Sequence, residues 1–341
     1  MNESQKKRLM WQLPFLLLLI VGTVLIIRQQ RSMPYQKSTG QVFGTFYTVT
    51  YQHNEDLQQQ IEEALQQVDA EFSMFNEQST VSCINRGECP ELSPMFLEVY
   101  QLAEKVSRET RGAFDITVAP LVNAWGFGFK QQQLPTAHQV DSLRRLVGWQ
   151  HLQLSGRQLV VRQSGMMLDF SAIAKGYGVD VISRLLQQQG VDNFMVDIGG
   201  EVTTRGISPK RVPWKIGVTK PTDDSLNVNN EIVTVLNVTD RSMATSGNYR
   251  RFYEKGGKRY AHTIDPHTGY PVQHSLLSAT VLADNCATAD AYATSFMVMG
   301  LEEAQRILQQ HPRLLAYLIY SDSQGQLAVW YSPALSKNFE E

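Results

Sequence analysis

MMLDFSAIAKGYGVDVISRLLQQQGVDNFMVDI, residues 166–198, predicts a strand, a helix and a second strand in succession. The runs at residues 166–170 and 194–198 are apolar and favour strands. Between them, residues 175–189 carry apolar side chains at helical spacing, and Gly190 is suited to the C-terminal cap. This order of elements indicates a domain that contains both helices and a sheet.

The rest of the chain continues this alternation in both directions. Helical spacing predicts helices over residues 56–72 and 94–109, and another that begins near an N-cap at Asp284 and runs through Met299. Strand-like runs occur at residues 41–51, 158–163, 214–219, 231–238 and 276–283, and residues 315–321 and 327–331 are typical of a hairpin. We therefore predict an α+β fold with mixed sheets and flanking helices, whose topology the pattern leaves open.

The N-terminus differs from the rest of the chain. Residues 11–27 are an apolar run with basic residues on both sides, and at about 1.5 Å per residue they approach the thickness of a bilayer. We interpret residues 1–10 as a cytoplasmic tail, 11–27 as a transmembrane signal anchor, 28–39 as a tether, 40–333 as the catalytic domain and 334–341 as a C-terminal tail. A cleaved signal peptide is the alternative, although no small-x-small cleavage site precedes Arg28.

Composition and cysteine spacing exclude some functions. The chain has 341 residues and a net charge of −2, with no basic block in its body, so a nucleic-acid role is excluded. The three cysteines lack the paired spacing of a zinc site. Cys83 and Cys89 flank a short turn and are either a disulfide or two free thiols, whereas Cys286 is expected to be a buried apolar residue.

Two segments carry candidate ligands for a metal or an anion. At residues 169–178, a carboxylate and a turn of small residues precede a helix start, where free amides and Lys175 attract anions and turn carbonyls can bind a hard cation. Asp290 and Thr294 lie four residues apart among alanines, on one face of a predicted helix, and form a plausible magnesium half-site. The alternatives are an ordinary strand-to-helix connection and a solvated helix face.

A third segment, residues 261–271, combines a strand with a tight loop. His262 lies just inside the strand, where it could face a site, and Asp265-Pro266 and Thr268-Gly269 are turn formers. Three histidines lie in this region, His262, His267 and His274, but their spacing fits no zinc motif. A lone histidine is more often structural than catalytic.

Taken together, these segments resemble the ApbE family, the FAD:protein FMN transferases, over roughly residues 40–333. The family signatures stand here in family order: Gly44-Thr45, Phe114-Asp115-Ile116-Thr117-Val118, Pro120-Leu121-Val122-Asn123, Trp125-Gly126-Phe127-Gly128, residues 169–180, Asp197-Ile198-Gly199-Gly200, Thr245-Ser246-Gly247-Asn248-Tyr249, residues 262–269 and residues 289–294. The resemblance implies an ApbE-like, T-fold-like single catalytic domain.

The resemblance also implies roles for individual residues. Mg²⁺ would be held by the Ala172 carbonyl and by the side chains of Asp290 and Thr294. FAD would be lined by Phe43, Phe75, Ala113, Phe114, Asp115, Asp169, Lys175 and Ile264. Phe43 and Phe75 stand where relatives commonly carry Met and Tyr, and Ser171 replaces a frequent Gly. His262, whose ordinary pKa is about 6.5, or Asp265 would accept the proton of the attacking hydroxyl.

The activity that follows is the magnesium-dependent transfer of the FMN moiety of FAD to a Thr or Ser hydroxyl of another protein, with release of AMP. The resemblance points to flavin-bearing subunits of membrane redox pumps as acceptors, on the periplasmic side of a bacterial inner membrane. Two alternatives use the same residues. They are an FAD pyrophosphatase that releases FMN and AMP, and an FAD-binding protein without turnover.

Overall fold

The computed structural model describes residues 3–128, 134–221, 231–248, 252–255 and 258–339. The helices are α1 (Glu3–Ser32), α2 (Gln58–Phe72), α3 (Thr80–Asn85), α4 (Pro94–Glu109), α5 (Ala119–Ala124), α6 (Ala137–Arg144), α7 (Ala174–Gln188) and α8 (Cys286–Gln310). The strands are β1 (Tyr35–Val42), β2 (Thr45–Gln52), β3 (Leu152–Ser155), β4 (Gln158–Val161), β5 (Phe194–Ile198), β6 (Glu201–Arg205), β7 (Trp214–Thr219), β8 (Ile232–Val238), β9 (Ser242–Gly247), β10 (Phe252–Lys255), β11 (Lys258–Ala261), β12 (Leu276–Ala283), β13 (Leu315–Ser321) and β14 (Leu327–Tyr331).

One large sheet organises the described part of the chain. Its strands run in the order β1-β2-β5-β6-β9-β12-β13-β14, with antiparallel neighbours. Helix α7 packs on β5 and β6, helix α8 packs on β9 and β12, and the two helices contact each other. Buried aromatic residues such as Phe170, Phe194 and Phe296 fill these layers. The arrangement confirms the predicted α+β class and holds the first turns of α7 and α8 against the middle of the sheet.

Most predicted elements occur where the pattern places them, but two predicted strands differ from those in the structure. Residues 166–170 do not form a strand, because Met167 makes a single parallel bridge to Val118 and the chain soon turns into α7. Residues 41–51 are not one strand but the end of β1 and most of β2. Phe43 and Gly44 form the turn between them, with φ of 51° and 70°. A left-handed phenylalanine is uncommon, so this turn was difficult to predict from the residue pattern.

Helix α8 begins one residue later than predicted. Asn285 is its N-cap, and the Asn285 side chain accepts a hydrogen bond from the Thr288 amide at 2.9 Å. Asp284 instead pairs with two arginines, Arg241 and Arg313. Gly300 interrupts the helix with φ of 80°, directly after the predicted end at Met299. The sequence therefore located both ends of the first part of α8 within one residue.

The two ends of the chain are described only in part. The predicted anchor, residues 11–27, lies within α1, whose side chains are described only in part. Among the described residues, no helix is both long enough and apolar enough to cross a membrane. Residues 35–39 of the predicted tether belong to β1 instead. In the predicted C-terminal tail, Leu335 is fully buried against the end of the sheet. Cys83, Cys89 and Cys286 are free thiols.

Candidate active site at the junction of α7 and α8

The first turn of α7 lies directly against the first turns of α8. The Gly176 amide donates a hydrogen bond of 3.0 Å to Asp290 Oδ2. A Cβ atom at Gly176 would lie 2.4 Å from the Cys286 carbonyl oxygen. Only glycine permits this approach of two backbones. The first glycine of the G-Y-G pattern is therefore needed where α7 and α8 cross, as well as at the start of α7.

This hydrogen bond caps the first turn of α7. Gly176 is the third residue of the helix, so its amide has no carbonyl partner within α7, and Asp290 supplies the acceptor. Ala172 lies in the turn just before α7, and its carbonyl accepts no hydrogen bond from any group in the described ranges. The Ala172 carbonyl oxygen is therefore available as a ligand, four residues before the amide that Asp290 binds.

Thr294 lies one helical turn after Asp290 and faces strand β9. Its Oγ1 is 3.1 Å from Ser246 Oγ. Of the three residues predicted to hold a metal, Asp290 and Thr294 are thus on α8, and Ala172 lies two residues before α7, the helix that α8 contacts. No group of three or more His, Cys, Asp or Glu side chains forms a metal cluster among the described residues. The predicted set contains one carboxylate, one hydroxyl and one carbonyl, and it does not depend on such a cluster.

The charges around Asp290 leave an excess of negative charge. Lys175 Nζ is 2.6 Å from Glu201 Oε1, and the charge of Asp290 also acts on Lys175. Glu201 and Asp290 are each only 3% exposed. Glu201 Oε2 is buried without a hydrogen-bond partner. One ammonium therefore faces two buried carboxylates, a balance that suits a hard divalent cation with oxygen ligands. The residues present fit the magnesium ion that the resemblance implies.

Burial and mutual charge change the pKa values of Lys175, Glu201 and Asp290. Burial alone would lower the pKa of Lys175, but the carboxylates of Glu201 and Asp290 raise it above its ordinary value. Burial raises the pKa of both carboxyls, and Lys175 opposes that rise. The charge of Lys175 is thus shared with two carboxylates before any phosphate approaches. Lys175 is therefore less available to attract an anion than the sequence analysis predicted.

Asp180, which the sequence analysis did not single out, caps the start of α8 with its carboxylate. Asp180 of α7 accepts hydrogen bonds from the Cys286 amide at 2.7 Å and from the Ala287 amide at 2.8 Å. Burial raises the pKa of Asp180 to about 6. Glu201 was missed as well. Both stand at the edge of quoted motifs, but only the fold shows that they face α8 and Lys175.

The loop that carries His262 is connected to this junction through hydrogen bonds. Thr263 Oγ1 donates to Asn248 Oδ1 at 2.6 Å, and Asn248 lies two residues after Ser246, the contact of Thr294. The His262 ring packs edge-on against Phe127, with ring centroids 6.3 Å apart. The predicted base and the predicted metal ligands therefore border the same end of β9.

Asp265, the other predicted base, is engaged within its own loop. Its Oδ1 accepts hydrogen bonds from the His267 amide at 2.9 Å and from His267 Nδ1 at 3.1 Å. Burial by itself would raise the pKa of Asp265, but the bonds from His267 and Thr268 hold it below its ordinary value. A carboxylate with a lowered pKa and two donors is a weak base. The geometry therefore favours His262 for this role.

Comparison with known proteins assigns the chain to a family. The family model described as the ApbE family matches residues 43–319. A Vibrio cholerae protein named FAD:protein FMN transferase is 35% identical over 312 residues, which cover 88% of this chain and 92% of that protein. A relative of the same name from Escherichia coli is 33% identical over 310 residues and covers 86% of each chain. This chain belongs to the ApbE family. It is an enzyme of the transferase class.

Solved structures of ApbE proteins share the fold. The flavin transferase ApbE from Vibrio cholerae superposes with a TM-score of 0.81 at 34% identity, covering 89% of this chain and all of that one. A histidine mutant of the same protein superposes equally well. The apo form of the Pseudomonas stutzeri flavinyl transferase ApbE gives a TM-score of 0.80 at 30% identity, covering 90% of this chain and 97% of that one.

Two carboxylates of the predicted FAD-lining set are on neighbouring segments of this ApbE chain. The Asp169 amide donates to the Ile116 carbonyl at 2.7 Å, so residues 115 and 169 are on adjacent segments. Asp115 accepts from Thr117 and from the Trp149 amide, and Asp169 accepts from the Ser171 amide at 2.8 Å. Burial raises the pKa of both carboxyls. Each carboxylate holds its own turn in place.

The apolar members of the set have different surroundings. Ala113, Phe114 and Ile264 are buried. Phe43 lies against α7, because a Cβ atom at Gly178 would be 2.9 Å from its ring. A cavity of about 390 Å³ adjoins Phe43 and is also lined by Gln41, Val42, Tyr47, Glu62, Leu65, Gln66, Asp69 and Asn76. Phe75 is 78% exposed beside this region. Of the predicted FAD residues, Phe43 alone lines this cavity.

Proposed function

We propose that this protein transfers the FMN moiety of FAD to a Thr or Ser hydroxyl of an acceptor protein and releases AMP, with Mg²⁺ as cofactor. The observation that carries the proposal is the Gly176–Asp290 hydrogen bond, which fixes a buried carboxylate of α8 at the start of α7, next to the turn that carries the unbonded Ala172 carbonyl. The names of the relatives, at 33–35% identity over most of their length, support the same activity.

The ligands of the cation would be the Ala172 carbonyl, the Asp290 carboxylate and the Thr294 hydroxyl. Bound magnesium would neutralise charge on the pyrophosphate that joins FMN to AMP. Glu201 and Lys175 keep Asp290 within a charged, buried setting. Oxygen ligands of this kind favour magnesium over softer metals.

The residues of the chain itself account for the proton. The acceptor hydroxyl oxygen forms a bond to the FMN-side phosphorus, and the bond from this phosphorus to the AMP oxygen breaks. His262 accepts the hydroxyl proton, and AMP leaves with the bonding electron pair. The hydrogen bond from Thr263 to Asn248 fixes the backbone next to His262, and Phe127 limits the rotation of its ring.

We further propose that residues 11–27 anchor the protein in the cytoplasmic membrane, with the catalytic domain on the periplasmic side. The apolar run and its flanking cations support this proposal. Several described side chains in this run, including Phe15, Leu18 and Ile26, are more than half exposed, which is unfavourable in water. Flavin-bearing subunits of membrane redox pumps are the proposed acceptors.

One experiment tests the transfer. The full chain in detergent is mixed with FAD, Mg²⁺ and a candidate acceptor, and the products are separated on a denaturing gel and assayed for AMP. Flavin fluorescence that stays on the acceptor, with one AMP per flavin, supports transfer. Free FMN with AMP would identify a pyrophosphatase, and unchanged FAD would identify a binding protein. Membrane fractionation with external protease tests the proposed location separately.

A further inference from the structure

His267 joins two parts of the candidate site that are distant in sequence. Its Nδ1 is 3.1 Å from Asp265 Oδ1, in the loop that carries His262. Its Nε2 is 2.9 Å from the Arg111 carbonyl oxygen, at the end of α4. The next residues after Arg111 and Gly112 are the predicted FAD-lining segment, residues 113–115. The imidazole therefore bridges the predicted base loop and the predicted flavin wall.

Both partners of the ring can only accept hydrogen bonds. A neutral imidazole has one N–H and one bare nitrogen, so it can satisfy either Asp265 or the Arg111 carbonyl, but not both. The imidazolium form donates from both nitrogens. The hydrogen bond that the ring donates to Asp265 raises the pKa of His267 above its ordinary value near 6.5, in agreement with this geometry.

The Arg111 carbonyl is presented by an unusual cap at the end of α4. The Gly112 amide bonds to the Ser107 carbonyl at 2.7 Å and the Arg111 amide bonds to the Arg108 carbonyl, which is the Schellman arrangement. Arg111 has φ of 55°, a left-handed conformation that glycine normally occupies at this position. Gly112 is also left-handed, and a Cβ atom there would lie 3.3 Å from His267 Nε2. The turn is shaped so that the ring can approach.

Other contacts hold the base of the loop but not its connection to α4. Trp125 Nε1 donates to the Gly269 carbonyl at 2.8 Å, and Arg144 of α6 donates to the His267 carbonyl at 3.1 Å. The charged groups around the imidazole are Asp265 in its own loop, Asp115 after the α4 turn and Arg144 on α6, whereas Arg111 contributes its backbone carbonyl. Asp265 and Asp115 favour the imidazolium, and Arg144 approaches only the backbone.

We propose that His267 is a positioning residue that, as an imidazolium, holds the His262 loop against the Arg111–Gly112 turn and so aligns the base with the flavin wall. This inference rests on the proposed function. When the ring loses its proton, one of the two hydrogen bonds is lost and the loop is released from α4. Because the His267 side chain is 58% exposed, water can replace that bond. Loss of the His267 proton therefore weakens the alignment of the His262 loop without abolishing it.

The test compares the wild type with His267→Arg, which keeps a permanent charge and several donors. The kcat/KM of transfer is measured for both proteins from pH 5.5 to 8.5, and the wild-type value is divided by the His267→Arg value. Because both proteins contain His262, the effect of its titration cancels in this ratio. We expect the ratio to fall about fivefold as pH rises, the scale of one partly exposed ion pair. His267→Ala is expected to be slow at every pH. His138→Ala, an exposed histidine on α6, is the control and should match the wild type.

A second measurement does not depend on flavin chemistry. Hydrogen exchange of the amides of residues 263–272, corrected for intrinsic rates, should show protection at pH 6 that weakens at pH 8.5 in the wild type but not in His267→Arg. A ratio that does not change with pH, or His267→Ala with wild-type rate and protection at pH 6, would overturn the inference. Normal pH-dependent protection in a protein that transfers no FMN would instead refute the proposed function alone.

Discussion

The Gly176 amide and the Asp290 carboxylate are joined by a hydrogen bond of 3.0 Å across the contact of α7 and α8. The Gly176 amide is the third of α7 and has no acceptor within its own helix, so a side chain of α8 caps it. The bond places a buried carboxylate at the start of a helix, where backbone amides stabilise negative charge. The cap thus fixes Asp290 against the first turn of α7, directly after the turn that carries the Ala172 carbonyl.

Replacing Asp290 with Asn tests the charge at this position. The Asn side chain still offers an oxygen to the Gly176 amide, so the helix contact should survive. Transfer is expected to fall by about 10²–10³-fold, since a metal contributes several kcal/mol of charge stabilisation. Rates at several Mg²⁺ concentrations provide the measurement. Asp284→Asn, which alters a surface carboxylate at the same end of α8, is the control. Equal rates in Asp290→Asn and the wild type would contradict the assignment.

Two glycines of α7 should respond differently to alanine. Gly176→Ala brings a Cβ atom to 2.4 Å from the Cys286 backbone carbonyl, which cannot move without shifting α8. We expect a loss of about 1–3 kcal/mol in the free energy of unfolding. Gly178→Ala meets the Phe43 ring at 2.9 Å, and a side chain can rotate away. It should cost less stability but raise the KM for FAD. Denaturant unfolding and FAD titrations distinguish the two, and equal losses of stability would argue against a rigid backbone contact.

His262→Ala tests the proposed base. Without a proton acceptor the chemical step should slow by about 10²–10⁴-fold, while FAD binds as before. Single-turnover transfer and FAD fluorescence quenching measure the two properties separately, with His138→Ala as the matched histidine control. A variant that loses FAD affinity yet keeps its rate of transfer would show that His262 binds the substrate instead.

The pKa of Asp180, raised by burial to about 6, predicts a pH dependence of stability. Between the ordinary pKa of 3.8 and about 6 the folded protein binds more protons at this site than the unfolded chain. Stability from this group is therefore greatest at low pH and falls as pH rises to about 6, by at most ~3 kcal/mol. Above that pH the contribution is constant.

The comparison of Asp180→Asn with the wild type isolates this effect. The difference in the free energy of unfolding between the two proteins should change from pH 4.5 to pH 6.5 and then level off. Guanidinium unfolding at each pH gives the values. A difference that stays constant across this range would mean that Asp180 has an ordinary pKa and that its capping bonds offset its burial.

The helices and strands of this chain could largely be predicted because their signals are local. The pattern of residues 94–109 gave α4 with its bounds, and the bounds of β5, β7, β12, β13 and β14 followed from β-branched and aromatic runs. Residues 166–170 show the limit of that reasoning. Their composition favours a strand, but a neighbouring strand was needed to make one, and the fold offers only Val118.

The candidate site was also predicted in part from the sequence and in part only from the fold. The sequence supplied Asp290, Thr294, Ala172 and His262 as candidates, because motif spacing and family resemblance are carried by the chain itself. It could not indicate that Glu201 and Asp180 face these residues, nor that Asp265 is bound by His267.

The sequence alone therefore determined which elements form and which residue types are present for chemistry, since periodicity, caps and motifs act over a few residues. Only the tertiary structure decided which carboxylates are buried, which of them caps the start of α7, and which histidine is held by two acceptors. Those properties depend on burial and on contacts between residues that are more than 100 positions apart, such as Lys175 with Asp290 and Arg111 with His267. Electrostatic interactions become strong when water is excluded, and exclusion of water is a property of the packed fold.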